Sequence, residues 1–231
     1  STHTKKLQEY VRKNKLSAGL AFDGDADRCL AVDENGNLVD GDFLIAICAN
    51  DMMKNGKLKN NTAVGTVMTN MGFSKFCEAN GIDFVSTKVG DRYVLESMLQ
   101  NGYNIGGEQS GHIIFLDHST TGDGELSGAM LLSIMKRTGE KLSDLAKIME
   151  RYPQVLINVK VSNEGKLSFY TDKEVKAEIN RVTEILGDTG RILVRVSGTE
   201  PLVRVMLEGE NLEQIQTLAE EAAQVVRERL A

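Results

Sequence analysis

The sequence is poor in the features that mark several classes of protein. Two prolines in 231 residues, and no Pro/Ser-rich or low-complexity stretch, exclude a long disordered linker. The three cysteines, Cys29, Cys48 and Cys77, are odd in number and scattered, with no C-x-x-C pair. That pattern fits buried, reduced thiols in a cytoplasmic protein rather than a disulfide framework. No run of about 18 apolar residues occurs, nor a charged-then-apolar leader with a small-residue cleavage site, so no membrane role is expected. Positive charge is in deficit. Lys+Arg 27 against Asp+Glu 33 gives a net charge of −6, which removes any bulk electrostatic case for nucleic acid or an acidic membrane. An initiator Met is also missing, and Ser1 in its place predicts a chain that begins inside a longer one. What is present is 41% hydrophobic content, enough for one large or two modest cored domains.

Along the chain, Leu7, Tyr10 and Val11 among lysines predict a short amphipathic helix within residues 1–15, feeding a strand at Ala18–Phe22. CLAVD-ENGN-LVDGD reads as two strands joined by a turn at Glu34–Asn37. Phe43–Met53 is an apolar run of helical length closed by Asn55-Gly56. Strands and helices then alternate: strands at Thr62–Met68, Ile82–Thr87, Tyr103–Gly106 and His112–Leu116, helices at Gly72–Asn80, Arg92–Gln100 and about Gly124–Lys136. This rhythm predicts an α/β fold whose sheet is mixed, mostly parallel, with helices on both faces. Near Arg151-Tyr152-Pro153 the pattern changes to β-α-β-β-α, a smaller α+β domain. Its first helix is expected to open on the capping box Thr171-x-x-Glu174 and to bury Val175, Ile179, Val182, Ile185 and Leu186. Its last helix is expected to bury Leu212, Ile215, Leu218, Ala222, Val225 and Val226.

The stretch with the clearest chemistry is Phe22-Asp23-Gly24-Asp25-Ala26-Asp27-Arg28. Leu20-Ala21-Phe22 reads as the end of a buried strand, and the small Gly24 and Ala26 let three carboxylates turn toward one point. Converging carboxylates need a cation or several donors to remain ionised. Oxygen-only ligation suits a hard ion such as Mg²⁺, and Arg28 beside it would make a place for an anionic substrate. Two other readings compete, a plain acidic turn and a Ca²⁺ loop. The Ca²⁺ loop needs glycine where Arg28 stands, and helices where the flanks look like strands.

Two further loops carry polar groups between apolar strands. In Gly106-Gly107-Glu108-Gln109-Ser110-Gly111-His112 the glycines permit close backbone approach, and Glu108, Ser110 and His112 can read hydroxyls. A plain hairpin with a satisfied histidine is the alternative. His112 is not a metal candidate, having no nearby Cys or second His, and His3 and His118 carry no assignment. In Arg195-Val196-Ser197-Gly198-Thr199-Glu200-Pro201, with Arg204, two strands each present an arginine and the turn supplies hydroxyls and free amides, as a phosphate dianion requires. An ordinary turn with solvated arginines is the alternative there. Lys88, Asp91 and Arg92 stand at a strand-to-helix junction, where ligands bind in parallel α/β sheets.

FDGDADR, TKVGDRYV, GEQSGH, TTGDG and RVSGTEPLVRVM, in this order, resemble the motifs of the α-D-phosphohexomutases over essentially the whole chain. Gln109 places the resemblance nearest the glucosamine branch, because the glucose and mannose branches usually carry methionine there. The resemblance implies four domains around a central cleft, of which this chain is the second half: residues 1–40 the tail of domain 2 with the metal loop, 41–150 the sugar-binding domain 3, and 151–231 the phosphate-binding domain 4. It implies Mg²⁺ held by Asp23, Asp25 and Asp27. Sugar hydroxyls would be read by Glu108 and Ser110, and phosphate gripped by Arg195, Ser197, Gly198, Thr199 and Arg204. Lys88, His112 and Arg28 would lie near the reacting phosphate, the first two assisting proton transfer. The implied reaction interconverts glucosamine 6-phosphate and glucosamine 1-phosphate through a phosphoserine and a bisphosphate, feeding UDP-N-acetylglucosamine and peptidoglycan precursors. One departure is the missing S/T-A-S-H-N-P serine motif. The partners expected are therefore a phosphosugar, the N-terminal domains of the same protein and a second copy as a candidate homodimer, and the chain alone is expected to be inactive. A glucose- or mannose-phosphate mutase and a non-catalytic phosphosugar-binding module are the alternatives. A haloacid-type phosphatase is disfavoured because no Asp-Gly-Thr continuation follows Asp23.

Overall fold

The computed structural model describes residues 4–231; the positions of Ser1 and His3 lie outside the described residues. The chain forms two compact units, residues 1–151 and 152–231.

In the first unit, α1 (Lys5–Asn14) buries Val11 and ends on Lys15 in the left-handed conformation. It packs on β1 (Ala18–Phe22), which pairs antiparallel with β2 (Cys29–Asp33), and β2 pairs in turn with β3 (Leu38–Val39). The turn between β2 and β3 is held by Asp33, whose Oδ1 accepts the amides of Asn35 and Asn37 at 2.9 and 2.8 Å. Strand β2 is buried throughout, whereas β1 is only half-buried and Phe22 is 46% exposed. The expected burial of Leu20-Ala21-Phe22 is therefore incomplete, because β1 is an edge strand of this sheet.

The remainder of the unit is built from α2 (Gly41–Lys54), β4 (Thr62–Thr66), α3 (Met71–Ala79), β5 (Asp83–Thr87), α4 (Asp91–Asn101), β6 (Ile105–Gly107), β7 (Ile113–Phe115), α5 (Gly124–Thr138) and α6 (Leu142–Leu145). The sheet order is β5-β4-β6-β7. β4 runs parallel to β5 and β6, and β7 is antiparallel, giving the mixed, mostly parallel sheet that the alternating pattern predicts. The two-residue period of the strands sorts their side chains. Ala63, Ile105, Ile113 and Phe115 join the core built with α2 and α3, while Val64 and Ile114 meet Val94 and Met98 of α4. Helices thus cover both faces. All three thiols are buried, and burial pushes each up to about 12.

The second unit runs β8 (Gln154–Lys160), α7 (Asn163–Ser168), α8 (Lys173–Leu186), β9 (Gly190–Val196), β10 (Leu202–Gly209), α9 (Leu212–Leu230). Its sheet is antiparallel in the order β8-β10-β9. Val159, Val203, Val205 and Leu207 pack with Val175, Val182, Ile215 and Val226 of α8 and α9. Three expectations change here. Helix α7 was not anticipated: its one large apolar residue, Leu167, is 76% exposed and leaves no periodic signal. The cap of α8 is Asp172, not Thr171. Its carboxylate accepts the Glu174 and Val175 amides at 2.9 and 3.0 Å and also meets Arg229, which a threonine hydroxyl cannot do. Ile185 and Leu212 are 45% and 47% exposed: Ile185 is turned about 100° from its buried neighbour Leu186 on the helix, and Leu212 is the first residue of α9.

Candidate functional site

The connection from β1 to β2 carries the three aspartates. Ala26 adopts a left-handed conformation (φ 58°) that tightens the loop, its amide donating to Asp23 O at 3.3 Å and its carbonyl accepting from the Gly124 amide at 2.9 Å. Asp23, Asp25 and Asp27 each offer a carboxylate oxygen within 4.8 Å of the others. The Arg28 amide donates to Asp23 Oδ1 at 3.2 Å, and Arg28 Nε stands 3.6 Å from Asp23 Oδ2 and 3.7 Å from Asp27 Oδ1. Desolvation acts to raise the Asp23 carboxyl, but a hydrogen bond with Asp27 and the amide and charge of Arg28 together bring it below its ordinary value. Asp27 Oδ1 is buried and makes no hydrogen bond. A buried carboxylate oxygen with no hydrogen bond, and with Arg28 Nε no nearer than 3.7 Å, in a cluster of three carboxylates is what a hard divalent cation neutralises, so this donor set fits Mg²⁺.

His112, 4% exposed, locks this loop from behind. Its Nε2 accepts the Gly122 amide at 3.0 Å, and its Nδ1 lies 3.0 Å from Asp27 Oδ2. A ring nitrogen that accepts is unprotonated, so Nδ1 carries the hydrogen and donates to Asp27. Asp91 Oδ2 is 4.0 Å from Nε2, which brings the start of α4 to the same place. Residues 28 and 112 form an isolated antiparallel bridge, and the Cys29 amide donates to Gly111 O at 3.0 Å. Gly111 has φ 95°, and a Cβ there would stand 2.3 Å from Cys29 O; only glycine fits.

The loop between β6 and β7 is a turn, closed by the Gly111 amide donating to Glu108 O at 2.9 Å and the Glu108 amide to His112 O at 3.0 Å. Glu108 Oε1 accepts the Gly90 amide at 3.1 Å, tying this turn to the junction of residues 88–92. Ser110 Oγ is buried and unpartnered. Lys88 places its ammonium 5.8 Å over the Tyr93 ring. The first unit therefore brings together Asp23, Asp25, Asp27, Arg28, Glu108, Ser110 and His112, with Lys88 on the adjoining junction.

The second unit gathers the other predicted residues. Arg195 and Arg204 are direct cross-strand partners on β9 and β10. Burial lowers Arg195 from its ordinary value, and the charge of Arg204 adds to that shift. Arg204 Nη2 donates to Glu200 Oε2 at 2.7 Å, while its Nε is buried without a hydrogen bond. Ser197 is buried, donating its amide to Leu202 O at 2.8 Å and accepting the Glu200 amide on Oγ at 3.3 Å. Gly198 and Thr199 form the exposed tip. Like charges placed opposite one another in a sheet repel, and the carboxylate set against the pair is Glu200, on Arg204.

Sequence reasoning gave no role to Gly122, Asp123 or Lys166. Gly122 supports His112, and Asp123 caps α5 by accepting the Leu126 amide at 2.8 Å. Residues 121–123 and Glu125 line, with residues 25–27, a groove of about 400 Å³. Lys166 of α7 donates to Glu200 O at 3.0 Å. The TTGDG stretch was the available signal for the first two; nothing in the sequence signalled Lys166.

Residues 40–152 match the family described as phosphoglucomutase/phosphomannomutase, alpha/beta/alpha domain III, and residues 156–225 match its C-terminal domain. Phosphoglucosamine mutase of Caldanaerobacter subterraneus subsp. tengcongensis is 56% identical over 230 residues, covering 100% of this chain and 52% of the relative. That of Clostridium botulinum is 54% identical over 230 residues, covering 100% and 51%. The chain thus spans about half the length of the curated relatives it matches. Among solved structures, a phosphoglucomutase/phosphomannomutase family protein from Burkholderia thailandensis superposes with a TM-score of 0.79 at 20% identity, covering 99% of this chain and 51% of that one. Aspergillus fumigatus N-acetylphosphoglucosamine mutase, in complex with GlcNAc-6P and magnesium, does so with a TM-score of 0.77 at 21% identity, covering 97% and 53%. These structures share the fold. Since both compact units match successive domains of one family, this chain belongs to the phosphoglucomutase/phosphomannomutase family, whose motifs its sequence resembles.

Proposed function

We propose that this chain supplies the metal, sugar and phosphate sites of a phosphoglucosamine mutase, which interconverts glucosamine 6-phosphate and glucosamine 1-phosphate. The observation that carries the reading is the convergence of Asp23, Asp25 and Asp27 within 4.8 Å, with a buried oxygen on Asp27 that makes no hydrogen bond. The relatives named phosphoglucosamine mutase, and a structural neighbour solved with magnesium and GlcNAc-6P, support it. In this reading residues 1–40 are the end of a preceding domain, 41–150 the sugar-binding domain and 151–231 the phosphate-binding domain.

The three aspartates would hold Mg²⁺, which when bound supplies positive charge to a phosphoryl group in transfer. Arg28 adds a fixed charge beside them. His112, held in one tautomer by Gly122, keeps Asp27 aimed through its Nδ1–H. Glu108 and Ser110 accept and donate to sugar hydroxyls; the buried Ser110 Oγ has no other partner. Lys88 adds an ammonium on the adjoining junction, over the Tyr93 ring. Arg195 and Arg204 take the phosphate dianion, which relieves their mutual repulsion, and Ser197, Gly198 and Thr199 complete the grip. No serine of the chain lies in the S/T-A-S-H-N-P context of the family's phosphoserine, so the 231 residues bind but do not turn over.

The test is phosphorus NMR of glucosamine 6-phosphate with this chain, Mg²⁺ and a catalytic amount of glucosamine 1,6-bisphosphate. The expected result is broadening of the sugar-phosphate line with no 1-phosphate formed. An unbroadened line would remove the binding sites from the reading, and appearance of 1-phosphate would show that the chain contains its own phosphoryl carrier.

A further inference from the structure

The turn that carries Glu108 and Ser110 also carries Gln109, and the Gln109 side chain goes the other way. Its Nε2 donates to Asp42 Oδ2 at 3.3 Å. Asp42 is fully buried in the first turn of α2, and the same oxygen accepts the Asn70 amide at 2.9 Å, at the start of α3. Two helix N-termini therefore converge on this carboxylate, a favourable place for a negative charge. The main chain adds a second attachment. The Gly41 amide donates to Gln109 O at 3.0 Å, and a Cβ on Gly41 would stand 2.1 Å from Glu108 O and 2.8 Å from Gly111 N. The turn thus lies directly on the first residues of α2, with Gln109 as the side chain that fastens it there. On the open side, Glu108 is held by the Gly90 amide at 3.1 Å and the Ser110 hydroxyl is left without a partner.

We propose that Gln109 is a positioning residue that acts through the buried carboxylate of Asp42 to set where Glu108 and Ser110 stand for the sugar. The proposal rests on the preceding reading that these two residues contact sugar hydroxyls. Gln109 touches no substrate in it. The amide matters because Asp42 accepts only: a glutamine donates to it, a carboxylate at position 109 repels it, and an aliphatic side chain leaves one acceptor of a buried charge short of a donor. Because the whole turn spans four residues, a small shift at Gln109 moves both of its neighbours.

The experiment is a calorimetric titration of the 231-residue chain with Mg²⁺ present, using glucosamine 6-phosphate and, separately, inorganic phosphate. Phosphate alone reports what the anion contributes, and the added affinity of the sugar phosphate reports the hydroxyl contacts proposed for Glu108 and Ser110. Gln109→Glu and Gln109→Leu are each expected to lower affinity for glucosamine 6-phosphate about tenfold, the size of one hydrogen bond to a charged group, with phosphate affinity unchanged. Circular dichroism melts accompany each variant, and Gln109→Leu, which buries no added charge, keeps the test decisive where Gln109→Glu fails to fold. Unchanged sugar-phosphate affinity in folded single variants overturns the proposal. If the unsubstituted chain binds the sugar phosphate no better than phosphate, the parent reading fails and this proposal falls with it.

Discussion

The aspartate loop of the first unit and the arginine loop of the second face the same electrostatic difficulty, like charges held together, and answer it differently. In the aspartate loop the backbone and two of the three carboxylates, Asp23 and Asp27, are held by neighbours, while Asp25 is exposed. The Arg28 amide and guanidinium, the His112 imidazole and the Gly124 amide each bind the loop, and glycines at 111, 122 and 124 are packed so closely that a Cβ would stand 2.3 to 2.5 Å from its nearest neighbour. In the arginine loop one exposed carboxylate, Glu200, offsets Arg204, and a Cβ on Gly198 would meet nothing within 4 Å. On the proposed reading, a site for a small ion of strict geometry would be built by removing space, and one for a tetrahedral anion attached to a larger ligand by leaving it.

The sharpest way to break the contrast is Gly111→Ala. The added methyl meets Cys29 O at a backbone position that alanine disfavours, so a loss of about 3 kcal/mol is expected, read as a lower midpoint in denaturant. A variant as stable as the parent would show that the aspartate loop is not pinned. Next in size is Arg195→Met, expected to weaken binding of inorganic phosphate about tenfold by removing one charge-assisted contact. Stability should be unchanged or slightly raised, since the variant also removes repulsion with Arg204. Titration with phosphate checks the first part and thermal melting the second; lost stability would mean that the arginine is a structural residue. Smallest is Gly198→Ala, placed where space is open. Its effect on stability should stay within about 0.5 kcal/mol, and a larger loss would mean that the tip is as tightly specified as the aspartate loop.

Much of this was legible in the sequence, for reasons that differ by residue. Asp23, Asp25 and Asp27 stand at alternate positions with small residues between them, so their convergence is a local property. Arg195 and Arg204 were legible as strand residues flanking a turn. The β-α-β rhythm of the first unit gave the sheet because each strand and helix carries its own hydrophobic period. What could not be read was contact at a distance. Asp27 and His112 are 85 residues apart, and the histidine tautomer depends on a third residue, Gly122. Gln109 was noticed as a marker of subgroup, yet its attachment to Asp42, 67 residues away, follows only from the fold. Helix α7 escaped because a helix with its one large side chain in solvent has no hydrophobic period. The Asp172 cap was misplaced by one residue because two adjacent residues both have capping side chains, and Arg229, distant in sequence, favours the carboxylate.

The distribution of thiols has a practical consequence. Cys29, Cys48 and Cys77 all lie in the first unit, buried and with their ionisation pushed up to about 12, and the second unit has none. An alkylating reagent needs an exposed thiolate, so it can modify this chain only when the first unit opens. The rate at which mass increases in such a reagent is therefore a clock for the opening of residues 1–151 alone, silent to whatever residues 152–231 do.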